Sequence, residues 1–265
     1  MDVSLWFKRL IFPILLLFVH ASCGSNSDIH TPRGRQAMID DANISLSRGL
    51  CDQAIANISP LYTSPYVNET VVLVMASAYA CKGRFNALTM IGNVSGSSSF
   101  FNALAMSLGN TAGDGSTSYL YQAVDVLTAS NTLLSASQRT KNVNTYMTIL
   151  QMAVMGSIFR QYGAPTSTGA KTVALTYNVG SGVGQLTNLD ACGLTAAVSI
   201  GYDSYQNSNF TDANMASSMA SINTLCTSAG YPGCTGIPNN RAACVGNVPN
   251  ETVAQGVVAG INGAW

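Results

Sequence analysis

Side chains that commonly carry catalysis are scarce in this chain of 265 residues. It contains two histidines, His20 and His30, and two glutamates, Glu69 and Glu251. A Ser-His-Asp site needs a histidine ordered inside a fold, whereas His20 lies in an apolar leader and His30 in a small polar segment. Both glutamates stand near predicted helix starts, where capping and the helix dipole explain them. We therefore predict a protein that is not an enzyme.

Three other arrangements could support chemistry, and each has a simpler explanation. Asp40 and Asp41 are sequence neighbours, so on a helix they do not converge as the carboxylate pair of a glycosidase. Gly180, Gly182 and Gly184 precede a predicted helix and could cradle an anion, but no nucleotide-binding strand–turn–helix unit surrounds them. The six cysteines after Cys23 show neither Cys-x-x-Cys nor a nearby histidine. The sequence predicts no metal ion and no cofactor.

Charge is also scarce. Only 9% of residues are charged, against roughly 25% in an average soluble domain, and the 12 basic and 12 acidic residues cancel. Hydrophobic residues make up 47%, which predicts a packed core instead of disorder. Without a basic excess nothing neutralises phosphates, so nucleic acid is an unsuitable partner.

The first 22 residues have the pattern of an export signal. Two basic residues precede an apolar run at 10–19, which is too short for a membrane-spanning helix but typical of a signal peptide. The small residues Ala21 and Ser22 then precede Cys23. This arrangement resembles the bacterial lipoprotein signal, which implies that Cys23 carries a lipid and becomes the new N-terminus after cleavage.

Two alternatives to lipidation remain open. His20 departs from the resemblance, because the family usually has leucine there, and an ordinary signal peptidase could instead cut after Ala21. The leader could also remain as an uncleaved anchor. The odd number of cysteines favours a lipid on Cys23, since disulfide pairing of seven cysteines leaves one unpaired. The resemblance implies an outer-membrane anchor facing the periplasm, followed by a flexible tether at residues 23–36.

Helical periodicity fills most of the remaining chain. Thr31 before a proline and Asn68 are favourable helix starts, whereas Gly49 and Gly230 are favourable ends. We predict helices over about residues 31–48, 50–59, 69–82, 84–91, 100–108, 119–134, 143–162, 187–205, 212–229 and 250–265.

The first four predicted helices repeat. Ala42 recurs as Ala76 after 34 residues and Ala54 as Ala87 after 33, with apolar residues following at matching positions. Over residues 37–95 this pattern resembles the tetratricopeptide repeat, in which small residues let paired helices pack closely. The alternative is an unrelated set of helical hairpins with coincidental alanine spacing.

The segment 143–162 is apolar on almost every side and is flanked by Lys141 and Arg160. A membrane span must therefore be considered. Polar residues inside it, such as Asn144 and Gln151, would be unfavourable in hydrocarbon. We predict a buried central helix instead.

Between residues 163 and 184 the helical period is lost. Val173, Leu175, Tyr177 and Val179 alternate as in a strand. The sequence offers this strand no obvious partner. It could be a hairpin arm, an ordered loop or a segment that pairs with another chain.

Six cysteines remain once Cys23 is set aside, and export favours disulfides. Consecutive helices run antiparallel, so the start of one helix meets the end of the next. Applied to the predicted helices, this rule selects two bridges and leaves two cysteines to close a short loop. The predicted bridges are Cys51–Cys81, Cys192–Cys226 and Cys234–Cys244.

Together these features predict an all-α protein with one helical domain at residues 37–265. Tetratricopeptide-like antiparallel pairs form residues 37–95, and a disulfide-braced helical part forms residues 100–265. Helical repeats suit protein partners, so we expect a lipid-anchored scaffold that binds another envelope protein. The alternative is a small-ligand-binding lipoprotein associated with a solute transporter, and an envelope hydrolase is the weakest hypothesis. A deep apolar pocket would favour the ligand hypothesis, and a shallow groove the scaffold.

Replacing the lipid-bearing thiol tests the anchor. In a diderm bacterial host, Cys23→Ser is expected to move the protein from the membrane fraction to the soluble fraction, because the only proposed membrane attachment is lost. Fractionation followed by carbonate washing measures this. A variant that stays bound to washed membranes would contradict lipidation at Cys23.

Overall fold

The computed structural model describes residues 28–97, 99–109, 113–129, 136–177 and 184–265. Within these ranges the chain forms eleven α-helices and one pair of short strands, so the predicted all-α class is confirmed. No described helix is long and apolar enough to cross a membrane. The helices are α1 (Pro32–Ser47), α2 (Cys51–Ile58), α3 (Glu69–Lys82), α4 (Ala87–Gly96), α5 (Phe100–Met106), α6 (Ser116–Ala129), α7 (Lys141–Tyr162), α8 (Asn188–Gln206), α9 (Ala213–Ser228), α10 (Arg241–Cys244) and α11 (Val248–Ala264).

The predicted signal peptide and Cys23 lie outside the described residues. The tether assigned to residues 23–36 was placed too far along the chain, because α1 already begins at Pro32. Thr31 caps this helix by accepting a hydrogen bond from the Gly34 amide. Residues 32–36 of the predicted tether are therefore helical.

Polar side chains fix where most helices begin. A side-chain oxygen just before the helix accepts from a first-turn amide that has no partner within the helix. The predicted ends at Gly49 and Gly230 are confirmed, and both glycines have positive φ angles of 71° and 89°. The capping residues are Thr31, Asn68, Asn86, Ser99, Thr140, Thr187, Asp212, Asn240 and Asn247.

Helix α7 lies at the centre of the core, and the predicted buried helix is confirmed. It packs most extensively on α8 and also on α5 and α6. Its buried polar groups have hydrogen-bond partners: for example, Asn144 Nδ2 donates to the Ala136 carbonyl at 2.8 Å, and Thr148 Oγ1 donates to the Asn144 carbonyl at 2.9 Å. One hydrophobic core runs from Ile39 in α1 to Ile261 in α11.

The helices of the predicted repeats do not all pack on one another. Helix α2 contacts α1 and α3, whereas α3 packs most on α6, and α4 on α5 and α9. Ala42, Ala54 and Ala76 are fully buried, but Ala87 is only partly buried. The resemblance to tetratricopeptide repeats stays a prediction.

The predicted strand finds its partner nearby in the same chain. Strand β1 (Thr176–Tyr177) pairs in parallel with β2 (Gln185–Leu186). The pair is only two residues long on each side. Leu175, the residue before β1, is held by Asn262 in α11. The Asn262 side chain accepts a hydrogen bond from the Leu175 amide and donates one to the Leu175 carbonyl. The segment is therefore mainly an ordered loop fastened to α11.

One predicted disulfide is confirmed and two are wrong. Cys51 at the start of α2 is bonded to Cys81 at the end of α3, as expected for antiparallel neighbours. The predicted bridges Cys192–Cys226 and Cys234–Cys244 are replaced by Cys192–Cys244 and Cys226–Cys234.

Two local features explain the correction. Gly230 turns the chain back at the end of α9, and the following 3-10 turn places Cys234 beside Cys226 in that helix. The short helix α10, which the periodicity did not predict, packs on α8 and brings Cys244 to Cys192. Antiparallel neighbours along the sequence were therefore the wrong guide in this half of the chain.

Mild reduction should open one of the three disulfides before the others. Cys51 and Cys81 are partly exposed, whereas Cys192 and Cys244 are fully buried. A thiol reductant must reach a sulfur atom to attack it, so we expect the Cys51–Cys81 bridge to be reduced first. Alkylation followed by non-reducing peptide mapping measures the order and the pairing. Early alkylation of Cys192 would contradict the structure.

Candidate functional site

A cleft of about 530 Å³ opens between α6, α7, α8 and the segment that leads into α10. This volume lies within the range of small-molecule sites in proteins. Helix α6 supplies Tyr121, Val124, Asp125 and Thr128, helix α7 supplies Gln151 and Val154, and helix α8 supplies Gly193, Ala196 and Ile200. The other lining residues are Arg139, Asn239, Asn240, Arg241 and Ala242.

The cleft combines apolar walls with a few polar groups. Val124, Val154, Ala196 and Ile200 are all buried aliphatic residues. Gly193 allows α6 to approach α8 closely, because a Cβ atom there would overlap the Tyr121 hydroxyl. Such walls suit the apolar body of a ligand, and the polar groups would fix its orientation.

Arg139 is a buried cation in this lining, with 9% of its surface exposed. Its Nη1 atom donates to Asn144 Oδ1 at 3.3 Å and to Ser204 Oγ at 2.8 Å. Burial lowers the pKa of Arg139, and the charge of Asp203 opposes that change. Arginine is nevertheless charged at neutral pH, so the lining of the cleft includes a buried positive charge.

Arg241 is the second cation of the lining. Its Nη2 atom lies 3.0 Å from Asp125 Oδ2. The guanidinium carbon lies 3.9 Å from the centroid of the Tyr121 ring, which is a cation–π contact. The Nε atom is buried and has no hydrogen-bond partner among the described residues.

A buried carboxylate beneath the cleft fixes Tyr121. Asp190 Oδ1 accepts from the Tyr121 hydroxyl at 2.9 Å, and Oδ2 accepts from the Tyr162 hydroxyl at 2.5 Å. Thr187 Oγ1 donates to Oδ2 at 3.0 Å. Burial is the main cause that raises the pKa of Tyr121 and raises that of Tyr162 to about 12, and Asp190 adds to both shifts. Both hydroxyls therefore remain protonated donors at neutral pH.

The residues first considered for catalysis lie elsewhere. His30 is exposed and bonds the Tyr66 hydroxyl through Nδ1 at 3.0 Å, so it belongs to the ordered fold and not to a free tether. Glu69 accepts from Thr140, and Glu251 accepts from the Gly246 amide. None of the three lines the cleft.

The remaining candidates from the sequence do not build a site either. No cysteine lines the cleft, and within the described ranges no cluster of histidine, cysteine and carboxylate side chains could hold a metal ion. Gly180 and Gly182 lie outside the described residues, and Gly184 belongs to the turn that leads into β2.

Sequence reasoning missed the charged residues of the cleft. Arg139 and Arg241 are far apart in the chain, and neither belongs to a recognisable motif. One signal was available, because in a chain with 9% charged residues each charge within an apolar segment is unusual. Asp190, which follows the predicted helix start at Thr187, is such a residue.

Comparisons of the chain with models of protein families, with curated proteins and with solved structures find no match.

Removing either tyrosine hydroxyl should weaken the fold. Tyr121→Phe and Tyr162→Phe each delete a hydrogen bond to a buried carboxylate, so we expect each to lower the free energy of unfolding by about 1.5–3 kcal/mol. Urea denaturation measures the change. Tyr66→Phe is the control, because its hydroxyl bonds only the exposed His30 in the contacts described, and a change within about 0.5 kcal/mol is expected. Equal effects in all three variants would contradict the role of Asp190.

Proposed function

We propose that this protein is a non-catalytic binding protein that holds a small ligand in the cleft. The ligand has one anionic group, a carboxylate or a phosphate, and an apolar body. The observation that carries this proposal is the presence of two arginines, Arg139 and Arg241, in a cleft with aliphatic walls. The proposal develops the ligand-binding alternative that the sequence left open.

The cations of the lining support an anionic group on the ligand. Arg139 and Arg241 are the two cations among the lining residues, and Asp125 is the carboxylate. An ion pair is stronger in a partly desolvated cleft than in water. A guanidinium also matches the planar geometry of a carboxylate and the oxygen atoms of a phosphate.

The shape of the site favours a small ligand over a protein partner. Three helices and the segment before α10 surround the cleft, whereas a protein partner needs a broad, open surface. The protein scaffold therefore stays a prediction. Export and lipid attachment at Cys23 also stay predictions, and the three disulfides are compatible with export.

Titration with three matched probes tests the proposal. Phenylacetate and phenyl phosphate share an aromatic body and carry an anionic group, whereas phenylacetamide is neutral. We expect one or both of the anions to bind in isothermal titration calorimetry and to raise the midpoint of thermal unfolding, because a ligand that binds only the folded state stabilises it. The amide is expected to have little effect.

Two substitutions place the binding in the cleft. Ala196 is buried in the cleft wall, so Ala196→Met should fill the cleft and weaken binding at least about tenfold. Ala216 is exposed on α9, and Ala216→Met should bind as the wild type does. Equal binding of the amide, or unchanged binding by folded Ala196→Met protein, would contradict the proposal.

A further inference from the structure

The ion pair at the rim of the cleft is incomplete. Asp125 contacts the Arg241 guanidinium through one oxygen, at Nη2, and the buried Nε–H has no partner among the described residues. The Asp125 side chain is 57% exposed, whereas that of Arg241 is 21% exposed. The cation is thus held by the protein, and its carboxylate partner is largely in water.

We propose that Asp125 competes with the ligand for Arg241. The anionic group of the ligand displaces the Asp125 carboxylate and takes both Nε–H and Nη2–H of the guanidinium as a two-point contact. This inference rests on the proposed function and adds the residue that receives the anion. It also assigns Asp125 as a residue that sets the affinity of the site.

The hydrogen-bonding capacity of arginine favours this exchange. A guanidinium has five N–H donors, and Nε–H and one Nη–H point the same way, so that a carboxylate can accept from both at once. A buried donor without a partner is destabilising. A ligand oxygen that reaches Nε removes this deficit, which the single contact of Asp125 with Nη2 does not.

Release of Asp125 leaves Arg241 in position. The guanidinium lies over the Tyr121 ring, and Tyr121 is fixed by its hydrogen bond to Asp190. Arg241 also begins α10, the helix that the Cys192–Cys244 bridge joins to α8. The displaced Asp125 carboxylate is already mostly hydrated, so the exchange requires little desolvation of protein groups.

The experiment compares phenylacetate binding by the full chain and three variants in calorimetry. Asp125→Asn removes the competing carboxylate. This variant should bind phenylacetate up to about fivefold more tightly, because an exposed ion pair contributes a free energy of that size. Arg241→Lys keeps the charge but lacks the two-point geometry, and it should bind at least about tenfold more weakly. Asp52→Asn is the control, because it also removes an exposed carboxylate that pairs with a cation, Lys82, away from the cleft.

The outcomes separate this inference from the proposed function. Tighter binding by Asp125→Asn, with wild-type affinity in Asp52→Asn, supports competition at Arg241. If the wild type binds phenylacetate and folded Asp125→Asn binds equally or more weakly, the competition is wrong and the cleft remains a ligand site. If Asp52→Asn gains as much as Asp125→Asn, net charge explains the effect and the inference also fails. If neither the wild type nor Asp125→Asn binds any anionic probe, both proposals fail.

Discussion

The carboxylate of Asp190 joins the three helices that make the cleft. It accepts from Tyr121 in α6 and Tyr162 in α7, and it belongs to the first turn of α8. A buried charge is tolerated only where hydrogen bonds replace its water, and here the donors come from different helices. The same contacts that satisfy Asp190 therefore fix the positions of α6, α7 and α8, and through Tyr121 they support Arg241.

The scarcity of charge makes these few groups informative. Only 9% of the residues are charged, so few charged side chains are available for ion pairs at the surface. Arg139 and Asp190 are nevertheless almost fully buried. Hydrophobic packing alone would not select such residues, because removing a charge from water is unfavourable. Arg139 lines the cleft, and Asp190 is hydrogen-bonded to Tyr121 in its wall, so the two buried charged residues in the described part of the chain lie at one site.

Local sequence signals predicted the helices well. They did not show which distant residues come together when the helices pack. Caps such as Thr31 and stops such as Gly49 act within one turn, so the sequence shows them directly. The four-residue helix α10 is too short to show a period, and missing it produced the wrong partner for Cys192. The cleft was not predictable for the same reason, since its two arginines come to line one cleft only after α6, α7, α8 and α10 have packed.

The disulfide between Cys192 and Cys244 makes the structure of the cleft wall depend on a chemical reaction that follows synthesis of the chain. Cys192 precedes Gly193 of the cleft wall, and Cys244 ends the short helix that Arg241 begins. A four-residue helix has little stability of its own, and this covalent link adds to the contacts that hold it against α8. A newly made chain with both thiols reduced has no covalent constraint on Arg241. For the ligand binding that we propose, formation of the Cys192–Cys244 bridge therefore fixes the part of the cleft wall that bears Arg241.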